Sequence, residues 1–113
     1  MGKPRVLVVD DEPTIRDLVS MVLEEEGYEV TRAEHGQQAL SVIESDPPDL
    51  VVSDVWMPCL DGLSLAHRLV KRGIPVVLMS AMRNRVDLPG VPVIEKPFDL
   101  DRLLQAAISA MAR

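Results

Sequence analysis

The chain has 113 residues, enough for one domain with a single core, read here as one unit over residues 1–113. A formal charge of −6 with no basic stripe argues against nucleic-acid binding by this chain, and no apolar run approaches the roughly 20 residues of a membrane span. Its single cysteine excludes an internal disulfide and fits a reducing, cytoplasmic setting, while Met1 to Arg5 leads into the first apolar run without a signal-peptide pattern.

Val6-Leu7-Val8-Val9 is a continuous β-branched run, predicting a strand buried on both faces, and it ends in Asp10-Asp11-Glu12-Pro13. Pro13 suits the first turn of a helix. Ile15, Leu18, Val19, Val22 and Leu23 supply that helix with an apolar stripe, and Gly27 is placed to stop it. Glu29 to Ala33 mixes polar and apolar residues, as a half-exposed edge strand would. A second helix is expected from Gly36 to Ser45, burying Ala39, Leu40 and Ile43. Pro47-Pro48 ends it.

Leu50-Val51-Val52-Ser53-Asp54 is the segment around which the chain is organised: an apolar run with one carboxylate at its carboxyl end. It breaks at once into Val55-Trp56-Met57-Pro58 and a turn at Asp61-Gly62. A third helix follows with Leu65, Ala66, Leu69 and Val70 inward, closed by Gly73 and Pro75. Val76 to Met79 reads as another doubly buried strand delivering Ser80 and Ala81. Val91 to Glu95 reads as a fifth strand, at an edge because Pro92 cannot donate to a ladder. A last helix from Asp99 carries Leu100, Leu103, Leu104, Ala107, Ile108 and Met111.

Alternating strands and helices with right-handed crossovers predict an α/β, flavodoxin-like doubly wound parallel sheet of five strands, order 2-1-3-4-5. Only Ser80 to Gly90 separates the fourth and fifth strands. A parallel crossover takes about a dozen residues, so the fourth helix is expected to be short or missing.

That topology sets the carboxyl ends of the first and third strands side by side, bringing Asp10 and Asp11 to Asp54. Like charges about 4 Å apart cost roughly 4 kcal/mol at an effective dielectric near 20. Either a cation sits among them or one carboxylate protonates. A hard divalent cation suits oxygen donors, and Mg²⁺ takes one or two carboxylates plus phosphate. The fourth and fifth strands add the Ser80 hydroxyl and the Lys96 ammonium. Carboxylate nucleophile, metal, hydroxyl and lysine describe a phosphoryl-transfer site with an acyl-phosphate product.

Val8-Val9-Asp10-Asp11-Glu12-Pro13, Ser53-Asp54-Val55-Trp56-Met57-Pro58 with Asp61-Gly62, Ser80-Ala81 and Lys96-Pro97-Phe98 together resemble the receiver domain of bacterial two-component response regulators. The resemblance covers the whole chain. It implies that Asp54 accepts a phosphoryl group from a histidine kinase or histidine phosphotransfer protein and that the change is read by an output domain or protein partner. It also implies Mg²⁺ (or Mn²⁺) on Asp11, Asp54 and the main-chain carbonyl of Trp56, with Asp10 acting through a metal-bound water. Lys96 would pair with the phosphoryl oxygens, Ser80 would hydrogen-bond them, and the Lys96-Pro97 bond would be cis.

This chain departs from the family pattern at three places. Val93 stands where receivers usually carry the aromatic partner of the Ser80 switch. The fourth helix is cut short, which directs the expected readout to the loops around Ser80 to Gly90, Ala81 and Met82 among them. Trp56 and Met82 put bulk beside the site where polar residues are common, which would slow attack by water. Two rival functions stand against this reading. A phosphate-independent receiver-fold interaction module would not use the acidic set. An aspartyl-phosphate phosphatase would carry a second carboxylate where Trp56 stands. His35 and His67 read as surface groups on helices and Cys59 as a small filler in the loop.

Overall fold

A computed structural model describes residues 2–57, 61–80, 89–96 and 99–112. The elements, in chain order, are β1 (Arg5–Val9), α1 (Pro13–Glu25), β2 (Glu29–Ala33), α2 (Gly36–Ser45), β3 (Leu50–Asp54), α3 (Gly62–Lys71), β4 (Val76–Ser80), β5 (Val93–Glu95) and α4 (Leu100–Met111). The strands form one parallel sheet in the order β2-β1-β3-β4-β5. Both the expected order and the expected edges are found. Among the described residues no helix stands between β4 and β5. Ala81, Met82 and Pro97, the cis bond expected before Pro97, and Cys59 lie outside the described residues.

Alternation along the strands splits the core into two sides. Leu7, Val9, Val51 and Leu78 pack with Ala39 and Ile43 of α2 and with Leu65, Ala66 and Leu69 of α3. Val6, Val8, Leu50, Val52, Val77 and Met79 pack with Val19 and Leu23 of α1 and with Leu103 and Ala107 of α4. Each fully buried Leu or Val contributes about 1.5–3 kcal/mol of transfer free energy. The three central strands are therefore the most deeply buried part of the sheet. Gly27 ends the first helix at φ +96°, a left-handed conformation that glycine adopts without Cβ cost.

Several expectations needed correction. Leu18, Val70 and Ile108 were expected inward but are 42%, 47% and 51% exposed. A helix buries only the seam it lays on the sheet, so the flank of a wide apolar stripe stays outside. In α4 the small Ala107 and Ala110 occupy that seam, which lets the helix lie close. β5 begins at Val93 rather than Val91. Pro92 lacks an N–H, yet its carbonyl accepts from Leu78 N–H at 2.9 Å, so it contributes half of a ladder position. His35 is not on a helix but caps one: its Nδ1 accepts from Gln38 N–H at 3.2 Å at the start of α2.

Candidate functional site

Register decides what meets at the carboxyl edge of the sheet. Val9 is paired with Ser53, Asp54 with Met79, and Ser80 with Glu95. One residue beyond those pairs, Asp10 aligns with Asp54, and Lys96 follows directly after β5. Asp10 is fully buried, Asp54 is 7% exposed and Ser80 is 2% exposed, while Asp11 lies in the open. One carboxylate oxygen from each of Asp10, Asp11 and Asp54 lies within 4.8 Å of the others. Lys96 Nζ stands 3.0 Å from Asp10 Oδ2 and 3.4 Å from Asp54 Oδ1.

Three carboxylates thus share one described ammonium, which leaves the cluster short of positive charge. Its donor atoms are all carboxylate oxygens, and two of the three groups are held out of water. That chemistry fits a hard divalent cation rather than a soft one. Burial pushes the Asp54 carboxyl above its ordinary range; Lys96 opposes the rise, and the charges of Asp10 and Asp11 add to it. For Lys96, burial works to lower the ammonium pKa, but hydrogen bonds and charge from Asp10 and Asp54 outweigh it and the net direction is up. Lys96 is therefore firmly charged.

The supporting contacts are local and specific. Asp10 Oδ1 accepts from Glu12 N–H at 2.9 Å, and Asp10 N–H donates to Ala33 O at 3.2 Å. Ser53 Oγ donates to Asp54 O at 2.9 Å, and Val55 N–H continues the ladder to Met79 O at 2.9 Å. Lys96 N–H donates to Ser80 O at 2.6 Å, tying the fifth strand's exit to the fourth's. Asp61 caps α3 by accepting from Ser64 N–H at 2.8 Å, and Gly62 N–H donates to Val55 O at 2.8 Å. Trp56 leaves the third strand 53% exposed, and Val93 on β5 is 37% exposed.

The structure thus brings together Asp10, Asp11, Asp54 and Lys96, and it sets Ser80 on the neighbouring strand end. Sequence reasoning missed Arg16, whose Nη1 donates to Asp10 O at 3.1 Å. The signal was available: an arginine near a helix N-terminus opposes the macrodipole and calls for an acceptor. It also missed Ser53, a buried hydroxyl on a central strand that has to find a partner.

Comparison with known proteins agrees with this geometry. A family model described as the response regulator receiver domain matches residues 6–108. The chain is 37% identical over 112 residues to the probable transcriptional regulatory protein TcrX of Mycobacterium tuberculosis, covering 91% of this chain and 48% of that protein. It is 32% identical over 114 residues to sporulation initiation phosphotransferase F of Bacillus subtilis, covering 94% and 92%. The receiver domain of NtrX from Brucella abortus superimposes with a TM-score of 0.86 at 39% identity, over 95% of this chain and 98% of that one. Against TcrX and several other curated relatives the chain spans about half their length. No helix among the described residues is long and apolar enough to cross a membrane. The chain belongs to the response regulator receiver domains, the phosphoacceptor switches of two-component signal transduction.

Proposed function

We propose that Asp54 is the phosphoacceptor of a Mg²⁺-dependent (or Mn²⁺-dependent) switch charged by the phosphohistidine of a histidine kinase or histidine phosphotransfer protein. The observation that carries this is the meeting of three carboxylates within 4.8 Å, one on a rigid strand end, with Lys96 at 3.0 and 3.4 Å. A carboxylate oxygen of Asp54 attacks phosphorus, the P–N bond of the donor breaks, and its electron pair returns to the imidazole. Asp11, Asp54 and the Trp56 carbonyl would hold the ion directly and Asp10 through a water; the ion supplies positive charge at the incoming phosphoryl oxygens.

Lys96 is aimed by its bond to Asp10 and takes the phosphoryl oxygens in place of Asp54. Ser80 donates its hydroxyl to one of them. Because Lys96 N–H is bonded to Ser80 O, displacement of either strand end is shared by both. Moving such a switch from 1:99 to 99:1 requires about 5.5 kcal/mol in favour of the phosphorylated form. On α1, Leu18 and Met21 are exposed three residues apart on one face, an apolar patch that would suit docking of the histidine-bearing partner. The exchange belongs in the cytoplasm, and the response is passed to an output domain or a protein partner. The resemblance of the chain to a phosphotransferase over nearly the whole of both proteins supports a relay role.

Incubation with acetyl phosphate and Mg²⁺ should add one phosphoryl group, mapped to Asp54 by mass spectrometry, and EDTA should reduce incorporation at least about 100-fold, several kcal/mol of charge stabilisation being lost. Incorporation that ignores EDTA would overturn the metal assignment. Absence of any incorporation would favour the phosphate-independent module, and sustained turnover of a phosphate ester would favour the phosphatase. Trp56, bulky and exposed beside the acceptor, slows attack by water on the acyl phosphate. Trp56→Asn should speed loss of the phosphoryl group several-fold in a single-turnover decay; an unchanged or slower decay counts against shielding.

A further inference from the structure

Arg16 lies outside the acidic cluster, yet its side chain reaches back across the first turn of α1 to the Asp10 carbonyl, 3.1 Å away. Its own backbone is held at both ends. Arg16 N–H donates to Glu12 O at 3.0 Å, and Arg16 O accepts from the buried Ser20 hydroxyl at 2.7 Å. These bonds hold the backbone from which the guanidinium reaches, and the Asp10 carbonyl gives that cation an acceptor at a helix end whose dipole opposes it.

The carbonyl it holds belongs to the peptide that joins Asp10 to Asp11. On its other side Asp10 is secured by three groups: Ala33 O takes its N–H, while Glu12 N–H and Lys96 Nζ take its two carboxylate oxygens. Among the described residues no hydrogen bond or ion pair anchors Asp11 in this way. β1 ends at Val9, so no ladder governs Asp11, and it is exposed while Asp10 and Asp54 are buried. The Asp10–Asp11 peptide is the link that joins Asp11 to this anchored residue, and one oxygen of the Asp11 carboxylate lies within 4.8 Å of those of Asp10 and Asp54.

We propose that Arg16 is a positioning residue that locks the Asp10–Asp11 peptide and so fits the acidic cluster to a small divalent cation in preference to a larger one. This rests on the reading of the cluster as a cation site given above. Mg²⁺ demands near-ideal octahedral geometry at short distance, whereas Ca²⁺ accepts six to eight oxygens in flexible arrangements. A loosened Asp11 therefore penalises Mg²⁺ more than Ca²⁺. Charge alone predicts the opposite sign, since removing a cationic side chain near three carboxylates should tighten both ions alike.

The test titrates MgCl₂ and then CaCl₂ into wild type, Arg16→Met and Arg16→Lys, read by the fluorescence of Trp56, the only tryptophan. Circular dichroism fixes a temperature at which all are folded, and Arg16→Gln replaces the methionine variant if that one does not fold. Arg16→Met should raise the Mg²⁺ Kd about 10-fold, the usual cost of losing a group that orients a ligand. The Ca²⁺ Kd should change by no more than about twofold, because that ion tolerates the looser site. Arg16→Lys should recover most of the Mg²⁺ preference. Equal shifts for both ions, or tighter binding of both, would overturn the positioning role while leaving the cation site standing. A wild type that binds neither ion would overturn the cation-site reading and this inference with it.

Discussion

Asp54→Asn should abolish phosphoryl incorporation and, in metal-free buffer at neutral pH, make the protein harder to unfold. Both effects come from the same carboxylate. It is the proposed nucleophile, for which a carboxamide is no substitute, and it is also a buried charge beside two others with one ammonium, among the described residues, between them. Sites built for function are commonly less stable than their neutralised variants, by about 0.5–2 kcal/mol. At about 4–8 °C per kcal/mol for a domain near this size, the gain is readable in a thermal melt. The sign also fixes a pH dependence. Burial, with Asp10 and Asp11 behind it and Lys96 opposing, holds the Asp54 pKa above its ordinary 3.8. A raised folded-state pKa gives stability that is complete below the unfolded value and is lost as pH rises through the folded one. Wild type should lose this increment from about pH 4 upward and the Asn variant should not, so the gap widens toward neutrality. Lys96, raised above 10.5, keeps its contribution through neutrality and loses it only in strong alkali. An Asn variant that melts below wild type in EDTA at pH 7, or that still incorporates phosphate, would contradict this account.

Gly62→Ala should be at once destabilising and severely inactivating. An added Cβ would stand 2.0 Å from Asp54 O, 2.8 Å from Asp54 C and 2.9 Å from Val55 Cα, all of them backbone. No flexible side-chain end is available to move aside. Glycine is needed here for close approach, because the opening residue of α3 is pressed against the strand end that carries the acceptor. Relieving the overlap must push α3 outward or bend β3, at about 1–3 kcal/mol for an overpacked site. The bonds from Gly62 N–H to Val55 O and from Ser53 Oγ to Asp54 O would be strained together. A displacement near 1 Å at a reacting group can cost about 100-fold in rate. Phosphorylation by acetyl phosphate should therefore fall far more than the loss of folded protein accounts for. Gly73→Ala is the control: its Cβ would meet nothing within 4 Å, and its φ of +73° confines the penalty to local backbone. Equal rates for the two variants would refute the close-approach argument.

The parts of this fold that were legible in the sequence are those set by burial and by chain connectivity. Runs such as Val6 to Val9 and Val76 to Met79 have no polar residue to place, so they could only be doubly covered strands. Edge strands showed themselves through Arg32, Glu29 and Pro92. Once strand order followed, Asp10, Asp54, Ser80 and Lys96 were obliged to share one edge. Less legible was anything decided by a single side chain's reach. Leu18, Val70 and Ile108 satisfy the helical period as well as their buried neighbours do, and only the width of the sheet seam separates them. His35 as a cap and Arg16 as a carbonyl donor depend on rotamers that periodicity does not encode. Gly62 was visible as a turn residue, but its reason, a backbone pressed against it from another element, required coordinates.

The fifth strand is three residues long and lies at the rim of the sheet, yet Lys96 hangs directly from it. Pairing of that strand with β4 is what brings the ammonium to the two buried carboxylates, Asp10 and Asp54. Closure of the last strand is consequently a neutralisation event as well as a pairing event. Where the rim strand frays, two enclosed carboxylates part from their counter-charge, so its opening is resisted by Coulomb attraction as well as by ladder bonds.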